Sequence, residues 1–389
     1  MNLAEIQAAI QAQRLDGWLF YDHHHRDPLA YRILGLPNDL QPTRRWYYFI
    51  PREGDPVALC HRIEPHSLES LAGAKRFYSR WSEQRNELRT LLGNARAVAM
   101  QYSAECALPY IAMVDAGTVE IVRSFGIEVR GSADLVQLFE ARWTNEQLEM
   151  HLEAGRRMDR IRAEAFALVR ERTRNNTAVN EWQIKSHLLE AFAANGLETD
   201  HGPIVAVNAN ASDPHYEPTP TRHAPIVAGD FVLIDMWSKL QKPSSVYYDI
   251  TWTGFCGDSP PSEMLNVFGV VMGGRDAAIQ FVQRSIAEQK SIAGFQVDDV
   301  ARGYIEHAGF GRYFIHRTGH SIGADVHGAG ANMDNYETHD ERRIIPRTCF
   351  SIEPGVYLPT FGIRSEVNVY VGEKDARVTG EVQTALLVL

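Results

Sequence analysis

The chain has 389 residues, of which 44% are hydrophobic and 23% are charged, an ordinary composition for a soluble globular protein. A formal net charge of −10 argues against nucleic acid as a partner, and no apolar run is long enough to span a membrane. The length exceeds what one hydrophobic core usually supports, so two domains are expected.

The N-terminal part of the chain alternates between helical and strand-like segments. Apolar residues recur at helical spacing over residues 3–10, and the aromatic run at 18–21 predicts a buried strand. Residues 46–50 and 56–60, joined by a turn, predict a β-hairpin. The alternation continues to about residue 138 and predicts an α/β domain. Its acids and histidines are scattered among turn residues, so we predict no catalytic site there.

In the second part of the chain, a helix pair followed by strands occurs twice. Thr144 and Gln147 have the spacing of a capping box, which opens a long helix, and a second helix begins near Asn180. Another helical stretch begins at Ser262, and Asp298 is predicted to cap a shorter helix. The repetition predicts an internal duplication in which helices cover a sheet.

The cysteines are widely spaced and form no Cys-x-x-Cys pair. This pattern predicts free thiols in a reducing compartment, and therefore a cytoplasmic protein, rather than a disulfide framework or a zinc ribbon. The four cysteines are Cys60, Cys106, Cys256 and Cys349.

Acidic residues on apolar runs flank a segment, residues 317–327, that contains His320 and His327. Neutral imidazole is a common metal ligand and also a hydrogen-bond donor, so this segment could serve both roles. The acids occur in Phe-Val-Leu-Ile-Asp and Tyr-Tyr-Asp-Ile-Thr upstream, and in Ser-Ile-Glu-Pro-Gly and Ile-Arg-Ser-Glu-Val downstream. They are Asp235, Asp249, Glu353 and Glu366.

Each of these acids is expected on a partly apolar strand, where an unpaired charge is costly. A surface location explains any one of them, but four carboxylates brought together repel one another unless cations lie between them. Two divalent ions about 3.5–4 Å apart, bridged by carboxylates, would use the whole set. Oxygen-rich ligation with one imidazole favours Mn²⁺, with Co²⁺, Zn²⁺ and Fe²⁺ as alternatives.

These residues and their contexts resemble the pita-bread metallopeptidase family M24, which includes aminopeptidase P, prolidase, methionine aminopeptidase and creatinase. The matching contexts are Thr-Gly-His, Glu-Pro-Gly-Val-Tyr and Gly-Ile-Arg-Ser-Glu. The resemblance covers the whole chain, with residues 1–142 similar to the creatinase-like N-terminal domain and residues 143–389 similar to the catalytic domain. It implies an α/β domain followed by an α+β pita-bread domain with an internal pseudo-twofold duplication.

The resemblance also implies roles for the metal ligands. Asp235 would hold one ion, His320 and Glu353 would hold the other, and Asp249 and Glu366 would bridge them. Glu353 would in addition accept a proton from the attacking water.

Two further histidines match family positions that act on the substrate. His327 would support the tetrahedral intermediate, and His215, in Ser-Asp-Pro-His-Tyr, would face the substrate. For each histidine alone, ordinary packing is the competing interpretation.

The sequence departs from the family pattern beside the first two ligands. Trp237 stands where the family usually has glycine, and a longer loop separates Asp235 from Asp249. Trp237 would share the face of Asp235 and is predicted to line the substrate pocket. Trp252, on the opposite face, is predicted to pack in the core. Gly328 replaces an acid that often follows the second histidine.

The sequence therefore predicts a metallopeptidase that cleaves near the N-terminus of a small peptide, before proline, as aminopeptidase P or prolidase does. A homodimer is implied by the resemblance. One alternative is a non-peptide C–N hydrolase or lyase on the same scaffold, and another is an inactive binding module. The sequence does not decide between dipeptides and longer peptides.

Overall fold

The structure, a computed structural model, describes residues 2–37 and 39–389. The chain divides into two compact units, Met1–Glu140 and Ala141–Leu389. No helix in these described ranges is long and apolar enough to cross a membrane.

The first unit has an α/β fold built on one mixed sheet. Its helices are α1 Leu3–Ala12, α2 Pro28–Leu34, α3 Trp81–Leu92, α4 Ala116–Arg123 and α5 Ala133–Val136. Its strands are β1 Gly17–Asp22, β2 Trp46–Pro51, β3 Val57–His61, β4 Ala74–Tyr78, β5 Ala97–Met100 and β6 Glu128–Gly131.

The strand order in this sheet is β4-β3-β2-β1-β5-β6. The predicted hairpin is confirmed, because β2 and β3 pair antiparallel, whereas β1 pairs parallel with β5. Both faces of β1 are buried, which explains why it is read from the sequence as a continuous apolar run.

The second unit carries long helices and short strands. Its helices are α6 Asn145–Arg174, α7 Glu181–Ala194, α8 Ser262–Ala287 and α9 Gly294–His307. The strands of its first half are β7 Leu197–Glu198, β8 Ile204–Val207, β9 Phe231–Leu240 and β10 Tyr248–Phe255. The remaining strands are β11 Ser321–Ile322, β12 Thr348–Ile352, β13 Gly355–Tyr357, β14 Gly362–Arg364, β15 Val367–Val371, β16 Ala376–Thr379 and β17 Leu387–Val388.

Two sheets form the centre of the second unit. One has the order β17-β10-β9-β7 with β8 also paired to β9, and the other has the order β11-β12-β15-β16. Alternate residues of β9 and β10 pack against α6 and α7, whereas a separate core contains residues of α8, α9, β12 and β15. Asn368 in β15 links the two sheets, because its side-chain amide bonds both backbone groups of Asp249.

The first backbone amides of α6 and of α9 find their hydrogen-bond acceptors in two different ways. Thr144 and Gln147 form the predicted capping box, with reciprocal bonds of 3.1 and 2.9 Å. The prediction that Asp298 caps a helix is wrong, because α9 begins earlier, at Gly294. Tertiary contacts satisfy the first amides of α9: Gly294 N and Phe295 N donate to backbone carbonyls of a distant loop. The carboxylate of Asp298 therefore does not cap α9, and its contacts are described with the candidate metal centre below.

Candidate metal centre

The first two predicted acids lie within neighbouring antiparallel strands. Asp235 in β9 pairs with Thr251 in β10, and Asp249 in β10 pairs with Trp237 in β9. Paired residues share a face of the sheet, so both carboxylates point away from α6 and α7. Both side chains are buried among residues of the second unit.

The other candidates reach this face from the C-terminal part of the chain. Glu366 immediately precedes β15, and Glu353 immediately follows β12, so these two acids flank strands rather than lying within them. His320 Nε2 lies 3.5 Å from Asp249 Oδ2 and 3.3 Å from Glu353 Oε1. Among the described residues, Asp249, His320 and Glu366 offer ligand atoms within 4.8 Å of one another. Glu353 adjoins this group through His320, whereas Asp235 is not part of it and pairs with Arg364.

Several carboxylate oxygens in this cluster have no hydrogen-bond donor. Within the described part of the chain, Asp235 Oδ1, Asp249 Oδ1 and Glu366 Oε1 are buried and unpartnered. A buried, unpartnered carboxylate oxygen is energetically costly. Buried acidic oxygens beside one imidazole form a donor set that suits divalent cations. The residues therefore fit the metal ions that the sequence predicts.

The pKa shifts of the cluster follow from burial and from the closeness of like charges. Burial raises the pKa of Asp249 well above its usual range, and the charges of Asp235 and Glu353 raise it further. Burial and the charge of Asp249 likewise raise the pKa of Glu366. Burial lowers the pKa of His320, which keeps its imidazole neutral and able to ligate a cation.

An arginine that the sequence analysis left without a role lies among the carboxylates. Arg364 is buried, and its Nη2 donates to Asp235 Oδ2 while its Nε lies 3.8 Å from Glu353 Oε2. Its Nη1 donates to the hydroxyl of Tyr357 at 3.0 Å. In the sequence, Arg364 could have been recognised as a candidate because it is a cationic residue in an apolar segment, two positions before Glu366.

His316 is a second residue that was missed. Its Nε2 lies 2.7 Å from the Tyr357 hydroxyl, which in turn accepts from Arg364. Burial, followed by the charge of Arg364, lowers the pKa of His316 to about 3, so its imidazole is neutral. The available signal in the sequence was a histidine four residues before His320.

Hydroxyl groups orient the candidate ligands. Ser351 Oγ accepts from the amide of His320 at 3.0 Å and donates to Glu353 Oε1 at 3.1 Å. Thr251 Oγ1 donates to Glu366 Oε2 at 2.8 Å. Such contacts fix the rotamers of ligating side chains before a cation binds.

Asp298 holds the segment that leads to His320. Its fully buried carboxylate accepts from Thr318 N at 2.9 Å, from Thr318 Oγ1 at 2.6 Å and from the guanidinium of Arg302. Thr318 O in turn accepts from the amide of Glu353 at 2.7 Å. One buried acid therefore fixes backbone beside two of the candidate ligands.

The two predicted substrate histidines lie at the rim of the cluster. The rings of His327 and His320 meet edge to face, with centroids 4.3 Å apart. His327 retains solvent exposure, but burial is the largest cause that lowers its pKa to about 4, followed by the charge of Arg317. The charge of His215 contributes to the same shift, and His215 is itself exposed. A neutral imidazole at this position can donate a hydrogen bond to a substrate oxygen.

The two tryptophans differ in their surroundings. Trp237 is half-buried on the face of Asp235 and Asp249, and its indole Nε1 donates to Asp200 Oδ1 at 3.1 Å. Trp252 packs in the core on the opposite face, with the guanidinium carbon of Arg162 3.5 Å from its ring centroid. The prediction that Trp252 packs in the core is confirmed.

The chain is similar to one known protein family and to several curated proteins. The profile of metallopeptidase family M24 matches residues 149–373, which include every candidate ligand. The chain is 29% identical over 232 residues to a Xaa-Pro dipeptidase of Lactobacillus delbrueckii subsp. lactis, an alignment that covers 59% of this chain and 56% of that protein. The chain spans about half the length of the first curated relatives it matches.

Solved structures share the fold over nearly the full length. The dipeptidase PepE of Mycobacterium ulcerans superposes with a TM-score of 0.75 at 24% identity, covering 99% of this chain and 96% of that chain. The Xaa-Pro dipeptidase of Bacillus anthracis superposes with a TM-score of 0.66 at 18% identity, covering 100% and 99%. The predicted fold, an α/β unit followed by a pita-bread unit, is therefore confirmed.

Proposed function

Because the chain belongs to metallopeptidase family M24, we propose that it hydrolyses the N-terminal peptide bond of small peptides whose second residue is proline. The observation that carries the proposal is the cluster of three buried carboxylates, the half-buried carboxylate of Glu353 and one buried imidazole, in which three carboxylate oxygens are unpartnered among the described residues. The name of the Lactobacillus relative, a Xaa-Pro dipeptidase, supports the choice of substrate class.

In this proposal the divalent ions are held by the five residues predicted from the sequence, namely Asp235, Asp249, His320, Glu353 and Glu366. The chemistry that such ions supply when bound is polarisation of a carbonyl oxygen and activation of water. Asp249 and Glu366 would contribute to both ions, because their ligand atoms lie within 4.8 Å of each other and of that of His320. We propose Mn²⁺ because oxygen donors outnumber the single imidazole.

The remaining roles belong to proton transfer and orientation. Glu353 is proposed to accept the proton of the attacking water, because its carboxylate lies 3.3 Å from His320 Nε2 and 3.8 Å from Arg364 Nε and is half-buried. His327 is proposed to donate a hydrogen bond to the oxygen of the tetrahedral intermediate. His215 faces the substrate from the rim, and Trp237 forms an apolar wall.

We also propose that residues 1–142 form a creatinase-like N-terminal domain, that residues 143–389 form the catalytic domain, and that the protein is a cytoplasmic homodimer. The four cysteines are free, which supports a reducing compartment. Light scattering of the purified protein measures the oligomeric state.

The test combines metal analysis with a substrate screen. The protein is purified in excess Mn²⁺, desalted and analysed for bound metals, and hydrolysis of Xaa-Pro dipeptides, longer Xaa-Pro peptides and matched Xaa-Ala peptides is measured. We expect bound divalent ions and cleavage that depends on proline. A folded protein with no bound ion and undiminished activity would contradict the proposed mechanism, and activity without a preference for proline would contradict the substrate class.

Thr251→Val is expected to weaken metal binding, because valine matches the shape of threonine but leaves Glu366 Oε2 without its donor. Loss of such a contact lowers metal affinity or activity by about 10–100-fold. The metal dissociation constant is measured by competition with a chelator.

The matched control for this change is Thr253→Val. Thr253 is equally buried and lies on the same face of β10, but its hydroxyl contacts Gln383 rather than a candidate ligand. Equal losses of metal affinity in the two variants would show that Thr251 acts through packing alone.

Trp237→Gly is expected to change substrate preference rather than reaction type, because it removes an indole from the face of Asp235 and Asp249. Ratios of kcat/KM among Xaa-Pro substrates should shift by about tenfold for each 1.4 kcal/mol of altered discrimination. Trp252→Leu, on the opposite face, should lower the melting temperature and leave the ratios unchanged. Unchanged ratios in Trp237→Gly would assign that residue to packing.

A further inference from the structure

Asp200 is a carboxylate near the cluster that has no role in the proposed mechanism. It lies in the connection between β7 and β8, and both of these strands pair with β9. Its Oδ1 accepts from Trp237 Nε1 at 3.1 Å, and Trp237 lies directly opposite Asp249 in the strand ladder. A single indole therefore links Asp200 to the metal-binding face.

Asp200 lies beside the candidate site through Trp237. The indole that donates to Asp200 Oδ1 stands opposite Asp249 and two positions after Asp235, on the face of β9 and β10 that carries both acids. A negative charge is therefore held next to the face that carries the candidate ligands.

This carboxylate is open to a ligand. Its side chain is 45% exposed, and the imidazole of His201 lies 3.3 Å from its Oδ2. Its Oδ1 also accepts from the amide of His201 at 2.9 Å, and the side chain of Tyr247 contacts the same carboxylate. Asp200 also borders a surface cleft of about 460 Å³. The cation that lines this cleft, Lys185, is buried and already paired with Glu217, so it does not cancel the charge of Asp200.

We infer that Asp200, held by the indole of Trp237, is a specificity-determining residue that favours substrates with a cationic N-terminal side chain over substrates with an anionic one. The negative charge of Asp200 attracts a cationic substrate side chain and repels an anionic one, and both effects are stronger at the partly desolvated rim of a site than in bulk water. The inference rests on the proposed function and adds a substrate class to it.

The test compares kcat/KM for Lys-Pro, Glu-Pro and Leu-Pro in the wild type and in Asp200→Asn. We expect the ratio of Lys-Pro to Glu-Pro to fall by about tenfold, which corresponds to about 1.4 kcal/mol. Leu-Pro is the uncharged reference to which the rates for Lys-Pro and Glu-Pro are normalised in each variant. Asp200→Lys should reverse the preference, and high salt should reduce the wild-type ratio because it screens an exposed charge.

Glu198→Gln is the matched control, since it removes the same charge two residues away, where Glu198 lies 3.9 Å from Lys239. An unchanged ratio in Asp200→Asn, or an equal change in Glu198→Gln, overturns the inference while leaving the proposed function intact. A wild type that cleaves no Xaa-Pro peptide overturns both. Because each ratio is measured on one preparation, partial loss of folded enzyme cancels from it.

Discussion

Replacement of Asp249 by asparagine is expected to abolish turnover and to lower the content of bound metal. Asp249 is one of the three residues whose ligand atoms lie within 4.8 Å of one another, its carboxylate adjoins His320, and its Oδ1 is unpartnered within the described residues. Asparagine keeps the shape of the side chain but removes the charge that a bridging ligand supplies. Elemental analysis and steady-state kinetics measure the two effects.

The same variant should behave differently when metal is absent. Burial and neighbouring acids raise the pKa of Asp249, so its charge is disfavoured in the metal-free wild type, and asparagine removes that charge. We therefore expect an unchanged or higher melting temperature in a chelator and a lower one in excess Mn²⁺.

Asp159→Asn serves as the control for these measurements. Asp159 is also a buried acid of the second unit, but it contacts the hydroxyl of Tyr248 on the opposite face of the sheet. This variant should retain both metal and turnover. Full turnover with normal metal content in Asp249→Asn would exclude Asp249 as a ligand.

Removal of the His327 imidazole by His327→Ala should lower kcat by about 10²–10³, the effect of losing one donor to a developing oxyanion. Its ring lies against His320, and burial lowers its pKa to about 4, so the neutral imidazole can donate over the physiological pH range. Metal content should remain near that of the wild type.

His327→Gln distinguishes a donor from a packing residue, because the glutamine amide can still donate a hydrogen bond. We expect it to recover part of the activity that His327→Ala loses. A variant that loses metal in proportion to activity would instead make His327 a ligand, and the proposed division of roles with His320 would be wrong.

The local patterns of the sequence predicted much of the fold. The hairpin of the first unit and the capping box at Thr144 depend on neighbouring residues, so composition and spacing suffice to predict them. The acids of β9 and β10 were also recognisable, since a carboxylate in a buried strand is unusual. That these acids lie close together in the folded chain could be proposed from the resemblance, because the candidate ligands occur along the chain in the same order as in the family.

Residues whose role depends on distant contacts were missed. Arg364 and Asp200 are ordinary charged residues in the sequence, and only the folded chain brings one to Asp235 and the other to Trp237. Asp298 was misread for a related reason. An aspartate near a helix start usually caps it, but here backbone carbonyls from another loop satisfy the first turn of α9.

The buried Asp298 has a consequence for how metal exchanges in this protein. Because Asp298 fixes Thr318, and Thr318 fixes the amide of Glu353, the backbone beside His320 keeps its shape without help from a cation. Ions should then load a folded apoprotein reversibly, and ions of similar size should replace one another by simple competition. We therefore expect the metal recovered from a culture to follow the metal supplied in the growth medium.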